Sequence, residues 1–194
     1  VVDTLIDRFL PAPDVRTVHA IQIRATPERV LQVAQEFDLE SLGAIRALFR
    51  IRGWLLHARP LPPHVPRGLA DQLTTLGWGT LAHEPGRQRV FGAVTRPWEG
   101  DVRFRPVPPE AFAAFAEPGL VKIAWTLEAE PDPRRPGETI LRTETRAAGT
   151  DEDARRRFRR YWRRARPGIV LIRWVLLPAV RRKCEGATAP STTR

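Results

Sequence analysis

The chain has 194 residues, a formal net charge of +10 and one cysteine, Cys184. That length suits one domain with room for a core and a ligand cavity, and a lone cysteine excludes an internal disulfide or a cysteine-built zinc cluster. Every basic residue except Lys122 and Lys183 is arginine, so the charge reads as a surface property that attracts polyanions, with no specific nucleic-acid motif behind it.

Residues 1–8 carry acids where a secretory signal needs a basic stretch followed by an apolar run. With the single thiol, this gives cytoplasm as the expected compartment. Residues 1–13 are expected to form an N-terminal extension, 14–185 the domain and 186–194 a disordered tail.

Residues 16–25 are β-rich, with Val18, Ala20, Ile21 and Ile23, and predict a first strand. Thr26, Pro27 and Glu28 then supply a cap, an N1 proline and a first-turn acid, opening a helix over 27–37. Ser41 is placed as the cap of a second helix carrying Leu42, Ile45, Leu48 and Phe49 and ending near Gly53. Four prolines in 60–66 rule out regular structure and predict an extended connector. One or two helical turns follow over 69–76. Residues 79–83 and 88–96 flank Glu84-Pro85-Gly86-Arg87 and predict an antiparallel hairpin. A short helix with Phe112 and Phe115 opens at Pro109-Glu110 and is closed by Pro118-Gly119.

The clearest sheet signal pairs 120–130 with 138–148 across a Pro/Gly turn. Symmetric pairing puts Val121, Ile123, Trp125 and Leu127 on one face with Leu141, Thr143 and Thr145. Arg142, Glu144 and Arg146 then fall on the other, expected to be a solvated ladder. Thr150 with Asp151, Glu152 and Asp153 predicts a helix start. Ala154, Phe158, Tyr161, Trp162, Ala165, Ile169, Ile172, Leu176 and Val180 recur at spacing three or four, an amphipathic helix of about 30 residues. Pro167-Gly168 is expected to kink or split it. The longest uncharged apolar run, 174–180, falls far short of the roughly 20 residues needed to span a bilayer.

Strand, two helices, antiparallel strands and a long last helix is the order of the helix-grip fold, an α+β class in which a curved antiparallel sheet wraps a C-terminal helix. The chain resembles the START-like (SRPBCC) superfamily, which includes polyketide cyclases and plant pathogenesis-related allergens, and within it a bacterial branch of uncharacterised members. The stretches carrying the resemblance are Phe9-Leu10-Pro11 with His19, Lys122-Ile123-Ala124-Trp125, Thr143-Glu144-Thr145-Arg146, Phe158 through Tyr161-Trp162 to Pro167-Gly168, and Ile172-Arg173. The resemblance implies a hydrophobic cavity between sheet and long helix for a lipid, polyketide or other apolar small molecule.

Trp125, Thr143 and Thr145 on the inferred inner face, with Phe158, Tyr161 and Trp162 on the covering helix, would give such a cavity apolar walls and polar handles. As a core reading, Phe158 and Trp162 simply fill space. Chemistry for turnover is sparse. Ser41 is assigned to a cap and Ser191 to the tail, Cys184 reads as an inert thiol, and Gly77-Trp78-Gly79 does not make a phosphate loop. His19, His57, His64 and His83 are scattered, so no metal or other cofactor is expected. A general acid or base would have to be His19, Tyr161 or Glu144, and the strand register puts Glu144 outside. Three functions are therefore expected in order: a carrier or sensor of a hydrophobic small molecule, a polyketide cyclase or dehydratase-like enzyme, and peripheral association with an anionic membrane. The last would use Arg156, Arg159, Arg160, Arg163 and Arg164, which lie largely off the apolar stripe, beside a second apolar face marked by Val170, Trp174 and Leu177.

Overall fold

The computed structural model describes residues 4–55 and 68–186. The proline-rich connector 60–66, His57, His64 and the tail beyond Gly186 lie outside the described residues. Five strands, β1 (Val15–Ile23), β2 (Gly79–Glu84), β3 (Gln88–Thr95), β4 (Val121–Pro131) and β5 (Thr139–Gly149), form one sheet in the order β1-β5-β4-β3-β2. Every neighbouring pair is antiparallel. The helices are α1 (Pro27–Gln35), α2 (Gly43–Leu55), α3 (Leu69–Thr75), α4 (Pro109–Phe112) and α5 (Glu152–Gly186). The class is α+β, an antiparallel sheet with a long C-terminal helix.

The β4–β5 register follows the alternation of the sequence: Trp125 lies opposite Thr145, Leu127 opposite Thr143 and Ile123 opposite Ala147. Through β1 the same face continues into Thr17 and His19. Because side chains alternate along a strand, one face of the whole sheet is thereby fixed as the inner one. Helix α1 and the C-terminal end of α5 pack there, burying Ile23, Val30, Leu127, Leu141, Leu176 and Val180 in the main core. Thr26 caps α1 by accepting from the Arg29 amide, with Pro27 at its first position. The β2–β3 turn uses Gly86 at φ +72°, a conformation that suits glycine.

The opposite face is not solvated. A short 3-10 turn, Leu5–Arg8, and the residues after it bring Ile6, Phe9 and Leu10 onto the sheet beside Val107 and Phe112. They cover Leu81, Val90, Val94, Ala124 and Ala148 in a second core. Gly92 permits the close approach: a Cβ there would stand 2.4 Å from Leu81 Cδ1 and 2.9 Å from Phe112 Cε2. The molecule is a sheet between two covers, and the stretch expected to extend from the domain is part of one of them.

Several local expectations change for identifiable reasons. Within β1 it is Ile21 and Ile23 that turn inward, whereas Val18 sits on the outer face and is exposed. Ser41 does not cap α2; its hydroxyl donates to the Asp38 carbonyl and closes a 3-10 turn, Leu39–Ser41, ahead of it. Thr150 is bonded to Leu120 through both backbone and side chain, so the capping of α5 passes to Asp151, which accepts from the Ala154 amide at 2.8 Å. Helix α5 is one element of 35 residues with Pro167 and Pro178 inside it, so Pro167-Gly168 does not split it. Gly168 instead meets α2: a Cβ there would come within 3.1 Å of Leu48 Cδ1.

Candidate functional site

The inner face has a tightly packed end on either side of a looser middle. Toward the N-terminus of α5, Phe158 is buried with Val121 and Ala147, and its ring stands 5.8 Å from that of Trp162. Toward the C-terminus, Leu176, Leu177 and Val180 are buried in the main core. Between these ends Tyr161, Trp162, Ala165, Ile169 and Ile172 are all only half-buried. Thr17, His19, Ile123 and Thr145 on the facing strands are half-buried too.

The six residues expected to line a cavity are divided by this arrangement. Trp125, Thr143 and Thr145 do share the inner face, and Trp125 Nε1 donates to the Thr143 hydroxyl in a buried bond. Phe158 is a core residue. Tyr161 and Trp162 pack at the margin of its cluster, at the edge of the loose middle. Sequence reasoning missed Arg173 as a site residue. Its guanidinium lies over the Trp125 ring, 4.7 Å from the centroid, and Nη2 donates to the Thr145 hydroxyl at 3.3 Å. Phe91 also stacks on Trp125 at 5.6 Å, and Arg89 lies over Phe91 at 4.9 Å. Burial pulls Arg173 down to about 10, still charged at neutral pH. His19 is lowered by burial first and then by the Arg173 charge, which favours the neutral imidazole. The cue for Arg173 was its place four residues after Ile169 and three before Leu176, a charged residue on the apolar stripe.

The residues expected as a solvated ladder behave differently. Glu144 and Arg146 are each 3% exposed in their side chains, because Ile6, Phe9 and Leu10 cover that face. Arg146 Nε donates to Glu144 at 2.6 Å, while Nη1 reaches Asp7 at 2.5 Å and the Leu10 carbonyl at 3.0 Å. Arg16 adds a second donor to Glu144 at 2.7 Å. Burial alone would raise Glu144; the bonds from Arg16 and Arg146 outweigh it and hold the carboxylate below its usual range. Glu144 is thus committed to a structural network on the far side of the sheet from the candidate site. Arg142, half-buried, joins it at 3.2 Å.

Along α5, Arg156, Arg159, Arg160, Arg163 and Arg164 are exposed. Arg156 pairs with Asp153 at 3.2 Å in the open, a contact worth little, and Arg159 pairs at 3.4 Å with Asp14, whose side chain is mostly buried. Two open surface depressions lie outside the region between β5 and the middle of α5. One, of about 580 Å³, lies between the start of α1 and the β2–β3 turn, lined by Glu28, Gly86 and Arg87; the other, of about 630 Å³, lies on α5 among Arg163, Arg166, Pro167, Val170, Leu171 and Trp174. Leu177, expected on that second apolar face, is buried in the main core. No group of His, Cys, Asp and Glu able to hold a metal occurs among the described residues, and no described helix is long and apolar enough to cross a membrane.

No family model and no curated protein matches the chain. Among solved structures, DR_A0006 from Deinococcus radiodurans is 14% identical, with 79% of this chain and 99% of that one covered, at a TM-score of 0.31. So low a likeness carries no argument about fold or function.

Proposed function

We propose that the chain is a helix-grip, START-like domain that holds a hydrophobic small molecule between its sheet and α5, as a carrier or sensor. The observation behind this reading is the half-buried middle of α5, from Tyr161 to Ile172, above an inner face that is itself half-buried at Thr17, His19, Ile123 and Thr145. A helix buried at both ends and half-buried between them offers apolar surface to a ligand along its middle. Trp125, Thr143 and Thr145 supply an aromatic wall and hydroxyls for orientation. A cyclase or dehydratase-like activity would rest on His19 as base, because Glu144 faces away into its arginine network.

Native mass spectrometry of protein purified without detergent tests the proposal. A co-purified apolar mass, displaced when Trp125→Ala is introduced, is the expected result. A clean apo spectrum together with no uptake of added medium-chain lipids would overturn it.

A second reading is favoured by the opposite side of α5. Trp174 is 71% exposed and Leu171 44% exposed, next to Arg163 and Arg166 in the same depression. Exposed aromatic and aliphatic side chains ringed by arginines suit an anionic membrane surface. Flotation with vesicles containing phosphatidylserine, at low and physiological salt, should show salt-sensitive binding that Trp174→Ala abolishes; no binding at low salt would remove this reading.

A further inference from the structure

We infer that the space between β5 and the middle of α5 is a carboxylate site, in which Arg173, flanked by Thr145 and His19, receives the head group of an amphipathic monocarboxylic acid. The inference rests on the small-molecule reading above and specifies its ligand class. It begins from an imbalance of charge. Arg173 points from the apolar stripe of α5 onto the inner face, with its plane over Trp125 and a single hydrogen bond, to Thr145. Its Nε and Nη1 have no hydrogen-bond partner among the described residues, yet neither is a buried unpartnered atom, so both border accessible space. No carboxylate forms an ion pair with it among the described residues.

The absence of an acid extends to the surroundings. The inward positions of β1, β5, β4 and β3, read through the strand register, include no Asp or Glu. Helix α5 has none from Ala154 to Cys184. The charged side chains and the imidazole that this register and α5 bring to the inner face, Arg173, Arg89 and His19, include no anion, and Tyr161 and Cys184 add only a phenol and a thiol. A half-buried guanidinium without a counter-ion is partly desolvated, and burial lowers its pKa. Its fork matches a carboxylate in bidentate geometry, which a charge-assisted pair strengthens further in a site of low dielectric. The Thr145 hydroxyl accepts from Arg173 and so keeps its own hydrogen to donate to an anion. Neutral His19, opposite Thr143 in the register, adds a hydrogen bond without adding charge. One cation and two neutral donors suit a monoanion. Ile169, Ile172 and Trp162 leave half-buried apolar surface along which the rest of the molecule would lie.

Isothermal titration of the full chain with decanoic acid and with 1-decanol at pH 7.5 separates head group from tail. Decanoate should bind at least tenfold more tightly than decanol. Arg173→Gln should remove that preference and leave decanol unchanged, and Arg173→Lys should restore part of it. Circular dichroism checks folding, and should Arg173→Gln fail it, Thr145→Val with Arg173→Lys gives the same comparison, the expected result being a reduced preference in both. Equal binding of acid and alcohol by the wild-type chain overturns the carboxylate site while leaving the small-molecule reading intact. Binding of neither overturns both. A preference that survives Arg173→Gln but is lost in the exposed double variant Arg163→Gln/Arg166→Gln moves the acid to the outer surface and overturns the inference as well.

Discussion

Two arginines meet β5 from opposite sides, and the protein treats them differently. Arg146 lies on the outer face, almost wholly buried, with Glu144, Asp7, Thr4 and the Leu10 carbonyl all accepting from its fork. Arg173 reaches the inner face, where one hydroxyl and one indole ring are its partners. A closed ring of charges joins parts of the fold; an open one leaves donors for something that is not part of it. The contrast separates structural from functional charge in a sheet where both kinds look alike in sequence.

Breaking the closed network should have the largest effect. Arg146→Met leaves Glu144 and Asp7 under the N-terminal segment with a partner removed, and should cost about 3–5 kcal/mol in urea unfolding. Phe158→Ala, which empties the packed end of the inner face, should cost about 3–4 kcal/mol by the same measurement. The acid limb of the network gives a pH test. Asp7 is held at about 2, below its ordinary 3.8, chiefly by the Thr4 hydroxyl and then by Arg146, against burial that raises it. A depressed carboxylate stabilises fully above its unfolded value and loses that contribution as pH falls through the folded one. Asp7→Asn should therefore cost about 1–2 kcal/mol at pH 6, and the gap to wild type should narrow below pH 4 and close near pH 2.

On the open side the sign should reverse. Arg173→Met replaces an unpaired guanidinium with an apolar chain of similar reach and should raise stability by about 1 kcal/mol, since sites kept for binding are seldom optimal for folding. A loss of several kcal/mol would instead make Arg173 a structural residue. Trp174→Ala, on the exposed side of α5, should leave the unfolding midpoint within about 0.5 kcal/mol.

How far the sequence disclosed this contrast depended on the element. The β4–β5 pairing was readable because a Pro/Gly turn and strict alternation fix register together, and the stripe of α5 because it keeps its phase across Pro167. The outer cover was not readable. Ile6, Phe9 and Leu10 sit in a 3-10 turn and an irregular stretch, which have no period to detect, and a strand of Arg142, Glu144 and Arg146 looks the same under water or under protein. A cue was present in the small neighbours on that face, Ala124, Thr126 and Ala148, which leave room for a covering layer. Assigning Thr150 as the cap failed for a related reason: a hydroxyl can be claimed by a distant strand, and nothing local announces the claim.

The placement of β5 also orders events during synthesis. The Leu10 carbonyl and Arg146 are 136 positions apart, and among the described residues β1 pairs with no strand except β5. A ribosome adds about 5–20 residues per second, so the nascent N-terminal stretch waits on the order of 10 s before its partner strand is made. Throughout that interval Ile6, Phe9 and Leu10 have at most part of the surface they cover, and the edge of β1 has no ladder to join. Residues 6–10 are thus secured long after they are made, and chaperones that recognise short apolar segments would find them incompletely covered until β5 emerges.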